Sequence, residues 1–234
     1  RYNLTKKKDP SYPSTSITGI SPAPYNRNDN RQGMWAMWYQ NSGYFQEQNF
    51  SSIAAELNSR FDNFNNVLRV TYTDQDEPRS TIGKEMPFVD ILKDGKPYVS
   101  FGTELFSFGN LRKVNTFTIS DDVTFNLGIN SITTGLAFEH NLTKNGFQRF
   151  GTGYFSFASW EDFVNKTPER FALTHPNNAD MKQAFPSFNF NQLTAFVQDE
   201  VAFSNRFNML FGLRFDLPFY PELDTYNDKI AELN

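Results

Sequence analysis

Apolar and polar side chains alternate over three long stretches of the chain, and each reads as a hairpin of two-faced strands. The clearest is Gln192–Asp216, QLTAFVQDEVAFSNRFNMLFGLRFD. In its second run Phe207, Met209, Phe211, Leu213 and Phe215 point one way, and Asn208, Leu210, Gly212, Arg214 and Asp216 the other. Successive side chains of a strand face opposite sides, so one face is wholly apolar and the other mostly polar. In the first run Leu193, Ala195, Val197 and Val201 oppose Thr194, Gln198 and Glu200. A soluble sheet tolerates this pattern; a hairpin with lipid outside and water inside requires it.

The same pattern occurs at 50–73. Ile53, Ala55, Leu57 and Phe61 alternate with Ala54, Glu56, Asn58 and Arg60. Asp62-Asn63-Phe64-Asn65 supplies a turn through its Asn and Asp side chains. Leu68, Val70 and Tyr72 then alternate with Arg69, Thr71 and Thr73. At 114–140, Phe117, Ile119, Val123 and Phe125 oppose Thr116, Thr118, Ser120, Asp122 and Thr124. After a turn near Leu127-Gly128-Ile129-Asn130, Ile132, Thr134, Leu136 and Phe138 oppose Thr133, Gly135, Ala137 and Glu139. Asp121 falls on the apolar face, which predicts either a bulge that shifts the facing or a position near lipid headgroups.

Three hairpins, 50–73, 114–140 and 192–217, are thus joined by loops of about 40 residues (74–113) and about 50 residues (141–191). Loops so long are uncommon in compact soluble domains. Short turns alternating with long loops match the two ends of an outer-membrane barrel, and each strand has about the 9–11 residues of a tilted span. The expected fold is all-β: an antiparallel meander of long strands, part of a transmembrane β-barrel with long extracellular loops. Segment 1–49 reads as extracellular loop or strand, with 1–30 as loop and 31–48 undecided between strand, short helix and loop tip. Segment 218–234 reads as the start of the next loop. Six strands are clear, with room for two more.

The loops carry structure of their own. Phe88–Leu92 and Tyr98–Phe101 flank Lys93-Asp94-Gly95-Lys96-Pro97, and Asp-Gly between apolar runs predicts a hairpin. Ser159 followed by Asp162 at the third position predicts a short capped helix limited by Pro168.

Composition narrows the function. The net charge of −4 and pI near 5.3 provide no basic field for nucleic acid. The absence of Cys excludes disulfides and thiolate metal sites. Mean hydropathy is −0.56, and no apolar run approaches the ~20 residues of a spanning helix. The 26 Phe, 10 Tyr and 3 Trp suit interface girdles or binding surfaces. With no signal peptide at its start and no terminal strand, the chain is expected to be an internal piece of a longer protein.

AFVQDEVAF (195–203) followed by FNMLFGLRFDLP (207–218) resembles the paired barrel strands of TonB-dependent outer-membrane receptors. The matching residues are Phe196, Gln198, Asp199 and Glu200, then Gly212, Leu213, Arg214, Phe215 and Asp216. TTGLAFEHN (133–141), FQRFGTGYFSFASWEDFVN (147–165) and PFVDIL (87–92) are similar to the large Bacteroidetes-type receptors that carry a carboxypeptidase-regulatory-like domain, the Oar-like group. The resemblance covers about residues 50–220. It implies an internal part of a barrel of about 22 strands, in the bacterial outer membrane and in contact with its lipid. It also implies energised import of a peptide, glycan or metal chelate. Energy would come from TonB–ExbB–ExbD through a plug that this chain lacks, and a surface lipoprotein is a possible further partner.

Candidate chemistry is sparse. His140 and His175 lie near a strand end and in a loop, without a partner set. Asp74, Asp76 and Glu77 could offer oxygens to a hard cation but lack EF-hand spacing. Gly151-Thr152-Gly153 is too short for a phosphate loop, and no nucleophile elbow is present. No enzyme and no cofactor are expected. Gln198 and Arg214 are expected in a polar lumen network. Loop aromatics are the candidate ligand surface: Trp35, Trp38, Tyr39, Phe106, Tyr154 and Trp160, with Phe101, Phe108, Phe155 and Phe157 nearby. The competing reading is that large loops need small cores of their own. A soluble or surface-exposed adhesion module is the alternative function, and it requires the apolar strand faces to pack on each other.

Overall fold

The computed structural model describes residues 1–14, 31–176 and 185–221. The strands are β1 (Tyr2–Ser11), β2 (Met37–Trp38), β3 (Tyr44–Arg60), β4 (Phe64–Thr81), β5 (Phe88–Lys93), β6 (Lys96–Phe101), β7 (Leu111–Leu127), β8 (Asn130–Gly146), β9 (Tyr154–Phe157), β10 (Arg170–Ala172), β11 (Ser187–Ser204) and β12 (Phe207–Phe219). One helix, α1 (Trp160–Val164), follows β9.

The long strands form one open antiparallel sheet in the order β1-β3-β4-β7-β8-β11-β12. The three predicted hairpins are β3–β4, β7–β8 and β11–β12, and they hydrogen-bond side by side. Residues directly opposite share a face, so the register tests the predicted facing. Leu57, Leu68, Asp121, Leu136, Ala195 and Phe215 fall on one cross-strand row of the apolar face. Glu56, Arg69, Ser120, Ala137, Thr194 and Asp216 form the adjacent row on the polar face. A slip of one residue would exchange the faces, so this alignment across six strands is what the alternation demands.

The apolar face is bare: Leu213, Leu136 and Phe215 are 79%, 67% and 64% exposed. Among the described residues no second sheet covers it, so the packed faces of a sandwich are not the arrangement here. From Phe117 to Leu127 the outward face of β7 runs about 33 Å at ~3.3 Å per residue, or about 25 Å in height at a tilt of ~40°. That is the height of a barrel's hydrocarbon band. The structure is therefore a stretch of transmembrane barrel wall.

Several boundaries differ from expectation. Residues 2–11, read as loop, are β1, paired with β3 from Tyr2 opposite Ile53 to Ser11 opposite Tyr44. Its lysines and Pro10 hid it: they pair with residues 45–49 toward the rim, where both faces of the strand meet water. The undecided segment 31–48 contains β2, a 3-10 turn at Gln40–Ser42 and the start of β3. The hairpin strands reach 17–18 residues, apart from β12. Beyond the hydrocarbon both faces meet water, so strand ends such as Asp74–Arg79 lose their alternation without leaving the sheet. The ladder is continuous through Asp121 and Asp122, opposite Leu68 and Val67, so the predicted bulge is absent. Asp121 faces outward opposite Leu136, near the middle of the apolar band and not at the expected headgroup level, and the Asn66 amide donates to it at 2.5 Å. Gly135 makes room on the inner face: a Cβ there would lie 2.4 Å from both the Phe196 ring and the Asp122 carboxylate, so these side chains would have to move.

The two long loops, with residues 31–43, build a second sheet in the order β10-β9-β5-β6-β2. Asp94 and Gly95 both have positive φ (54° and 75°), the mirror-image turn that suits a two-residue hairpin between β5 and β6. Phe88, Leu105, Phe150 and Tyr154 form one buried cluster, and Val89, Ile91, Val99 and Phe157 another. Ser159 caps α1, accepting from the Asp162 backbone N–H at 3.1 Å. These elements leave the wall at the ends opposite its short turns, so a folded loop domain stands on that rim.

Leu136 and Thr118 test the facing. In the full-length product refolded in lipid vesicles, Leu136→Arg is expected to cost about 2–4 kcal/mol near mid-bilayer. Thr118→Lys, opposite Glu139 on the inner face, is expected to change the urea midpoint little. Equal losses would contradict the assignment.

Candidate functional site

Two regions hold chemistry. The first is the inner face of the wall. Arg69 bridges three strands, donating from Nε to Glu56 at 2.7 Å and from Nη1 to Asp122 at 2.8 Å. Arg214 grips Asp216 through Nε and Nη2, both at 2.9 Å, and Thr194 donates to the same carboxylate at 2.6 Å. Gln198 lies on this face opposite Gly212. Arg214 and Gln198 thus sit on the polar face as expected, and Arg214 joins a network. The groups are exposed, and such pairs contribute at most about 1 kcal/mol each. Their effect is to line the face with fixed charge. On the outward side a depression of about 560 Å³ between Leu68, Phe138, Leu193 and Phe215 faces the hydrocarbon.

Nearer the rim, Lys8 meets Glu47 at 2.9 Å and Ser80 donates to the same carboxylate oxygen at 2.7 Å. These bonds, that of Lys8 first, hold the Glu47 carboxyl below the usual glutamate range. They tie β1 to β3 and β4.

The second region is the loop domain. At its centre Arg31 (1% exposed) and Asp90 (0%) form a buried fork-shaped ion pair, with Nε at 2.9 Å and Nη2 at 2.7 Å from the carboxylate oxygens. Ser100 and the Tyr154 hydroxyl donate to the same carboxylate at 2.6 and 2.8 Å, and Arg31 Nη1 reaches the Ser14 carbonyl at 2.7 Å. A buried charge pair so fully hydrogen-bonded fixes geometry, and removing one partner strands the other. Glu104, also buried, accepts from the Ser14 and Phe106 backbone N–H groups and from the Ser107 hydroxyl. The β1 end is therefore fastened to the loop domain from both sides.

Beside this core lies a cleft of about 550 Å³ lined by Tyr39, Gln40, Asn41, Ile82, Gly83, Val99, Phe101, Trp160 and Phe163. Four rings meet in sequence. Tyr39 is edge-on to Phe101 (6.1 Å, 83°), Phe101 edge-on to Phe163 (5.9 Å, 82°), and Trp160 tilted against Phe163 (5.5 Å, 47°). Tyr39 and Trp160 form the exposed lips, and Phe101 and Phe163 lie between them.

Of the six predicted ligand aromatics, the cleft unites Tyr39 and Trp160. Trp38 stacks edge-on with Tyr12, and Trp35 is exposed outside the cleft. Tyr154 belongs to the core instead, being 1% exposed with its hydroxyl spent on Asp90, and Phe106 packs against the same cluster. These two sit where the reading as loop core places them. Asp74 and Asp76 share one side of β4, and Glu77 faces the other because the strand alternates. Asp74 accepts from Asn115 at 2.8 Å on the outward side, and Glu77 pairs with Arg112 at 3.1 Å on the inner side. Among the described residues no group of three or more His, Asp or Glu is placed to hold a metal. His140 contacts Asn191 at 2.6 Å, and His175 the Pro176 carbonyl at 3.0 Å. Sequence reasoning missed Arg31, Asp90, Gln40, Asn41 and Ile82 as site or scaffold residues. They lie on segments far apart in the chain, and nothing local marks them.

Lipid-facing apolar rows, charged inner rows and a rim-borne loop domain define a membrane-embedded barrel protein. The whole sequence, residues 1–234, matches the family described as outer membrane beta barrel domain. The chain belongs to that family, and the family places it in the bacterial outer membrane. No curated protein and no solved structure matches it.

Asp90→Ala leaves the Arg31 charge buried and is expected to cost about 3–5 kcal/mol. Limited proteolysis should then cut within 82–110 and 147–172 while the wall stays protected; an unchanged pattern would contradict the scaffold role. The sign for Glu47 follows from its lowered pKa. Its stabilisation is present above the ordinary glutamate value, about 4.3, and is lost as pH falls through the lower folded value. It amounts to about 0.5 kcal/mol or less, because the pair is partly exposed. Amide exchange at residues 7–9 should rise slightly below pH 4, and Glu47→Gln should abolish that dependence.

Proposed function

We propose that this chain is part of a TonB-dependent receptor of the Oar-like, Bacteroidetes type. The receptor captures a nutrient on its loop domain and imports it through the barrel. The observation that carries this reading is the pairing of a charged inner wall with a folded, cleft-bearing domain on the rim. A passive pore needs only the first; a receptor needs both. The strand motifs at 195–203 and 207–218 give the reading its family. The protein does no chemistry on its cargo. The loop domain captures it, the inner face guides it, and the apolar face anchors the barrel in lipid. TonB–ExbB–ExbD supplies the energy through a plug outside this chain, and a surface lipoprotein is a fitting partner for the rim.

The test is depletion of peptides, glycans and metal chelates from a defined medium, by wild-type cells and by cells lacking the gene, with and without a protonophore. One class should be depleted only by energised wild-type cells. Depletion that persists with the protonophore would mean an unenergised pore, and no difference between strains would contradict import.

A further inference from the structure

The chemistry of the loop-domain cleft narrows its ligand, and the argument rests on the capture role proposed above. None of the nine lining residues is ionisable except through the Tyr39 phenol. A charged ligand group would therefore lose water and gain no counter-charge. Only two amides are present. Asn41 is already engaged, donating to Met86 Sδ at 3.6 Å and accepting from the Gly102 N–H at 3.3 Å. That leaves Gln40 and the Tyr39 hydroxyl, too few side-chain partners for the hydroxyls of a sugar ring. Tyr39, Phe101 and Phe163 meet near right angles, at 83° and 82°, and Trp160 is tilted 47° from Phe163, so the rings form an angled box and not the flat platform on which a pyranose stacks. Phe163 also packs edge-on to Phe157 (5.3 Å, 86°) of the buried cluster, and Val99 belongs to both cleft and cluster. The cleft is thus an open extension of an apolar core. Its volume lies in the range of ~300–1,000 Å³ usual for ligand clefts.

We propose that the cleft binds an uncharged aromatic or large aliphatic group, as presented by an apolar peptide side chain. Trp160 and Tyr39 close over it, and Gln40 holds the adjoining peptide bond. The ligand is then a peptide read by one apolar anchor.

Calorimetry on the detergent-purified full-length product tests this with N-acetyl-Ala-Phe-Ala-amide and with its Glu, Lys and Ser counterparts at the central position. Maltohexaose and choline are titrated in parallel. The Phe peptide should bind about tenfold or more tighter than the others, and Trp160→Ala or Ile82→Glu should remove that preference. Trp160→Phe should retain most of it, and Trp35→Ala, outside the cleft, should leave it intact. An unchanged protease pattern shows that each variant is folded. Binding of maltohexaose or choline that Trp160→Ala weakens, with no preference among the peptides, would overturn the ligand class but leave capture standing. Failure of every probe, or indifference to Trp160→Ala, would overturn the site. Failure of energised uptake with peptide binding intact would instead overturn the import reading.

Discussion

In hydrocarbon every backbone N–H and C=O must find its partner within the protein. That constraint orders the rest of this structure. It demands long strands paired without a break across the apolar band, and the β3-to-β12 ladder supplies them: its register shifts at Ala202/Ser204 beside the last turn, and β3–β4 pairing skips Glu47 and Gln48 toward the opposite rim. Once pairing is fixed, the period of two forces each strand to divide its side chains between lipid and lumen. The lipid side selects Leu, Ile, Val and Phe. The inner side is free to carry Arg69, Asp122, Arg214 and Asp216; Arg69 and the Thr194–Asp216 bond link neighbouring strands, and none of these charges meets lipid.

The same ladder carries the loop domain. Strands that continue past the hydrocarbon become rigid posts, and the segments leaving them have short distances to span. Arg31 and Asp90 lock the resulting domain from within, while Glu104 and the Ser14 carbonyl fasten the end of β1 to it. The cleft is a consequence of this construction. The Phe157, Val99 and Ile91 cluster is too small to cover its own edge, and Phe163, Phe101, Trp160 and Tyr39 leave a box open to water there.

What was legible in the sequence follows from period. Wherever lipid and water lie on opposite sides, alternation reveals strand, face and register, and Phe207–Phe215 is the strongest case. Where both faces meet water the signal vanishes, so β1, with Lys6, Lys7 and Lys8, read as loop, and the strand ends beyond Tyr72 read as connection. Asp94-Gly95 and Ser159 were legible because turns and caps depend on local chemistry. The site was only half legible. Aromatic content pointed to the loops, yet Tyr154 and Trp160 cannot be told apart without knowing that one hydroxyl reaches Asp90 and the other ring faces solvent. Gln40, Ile82 and Phe101 meet only through tertiary structure.

The two-faced wall is the claim on which everything else rests, and the chain's lack of cysteine makes it directly measurable. A single cysteine placed in turn at each position from 208 to 216 of the lipid-embedded protein can carry a nitroxide label. Its collision rates with oxygen and with a water-soluble nickel chelate are then read. The account predicts a period of two: labels at 209, 211, 213 and 215 favour oxygen, and those at 208, 210, 212, 214 and 216 favour the chelate. Uniform access to the chelate, or no alternation, would contradict it.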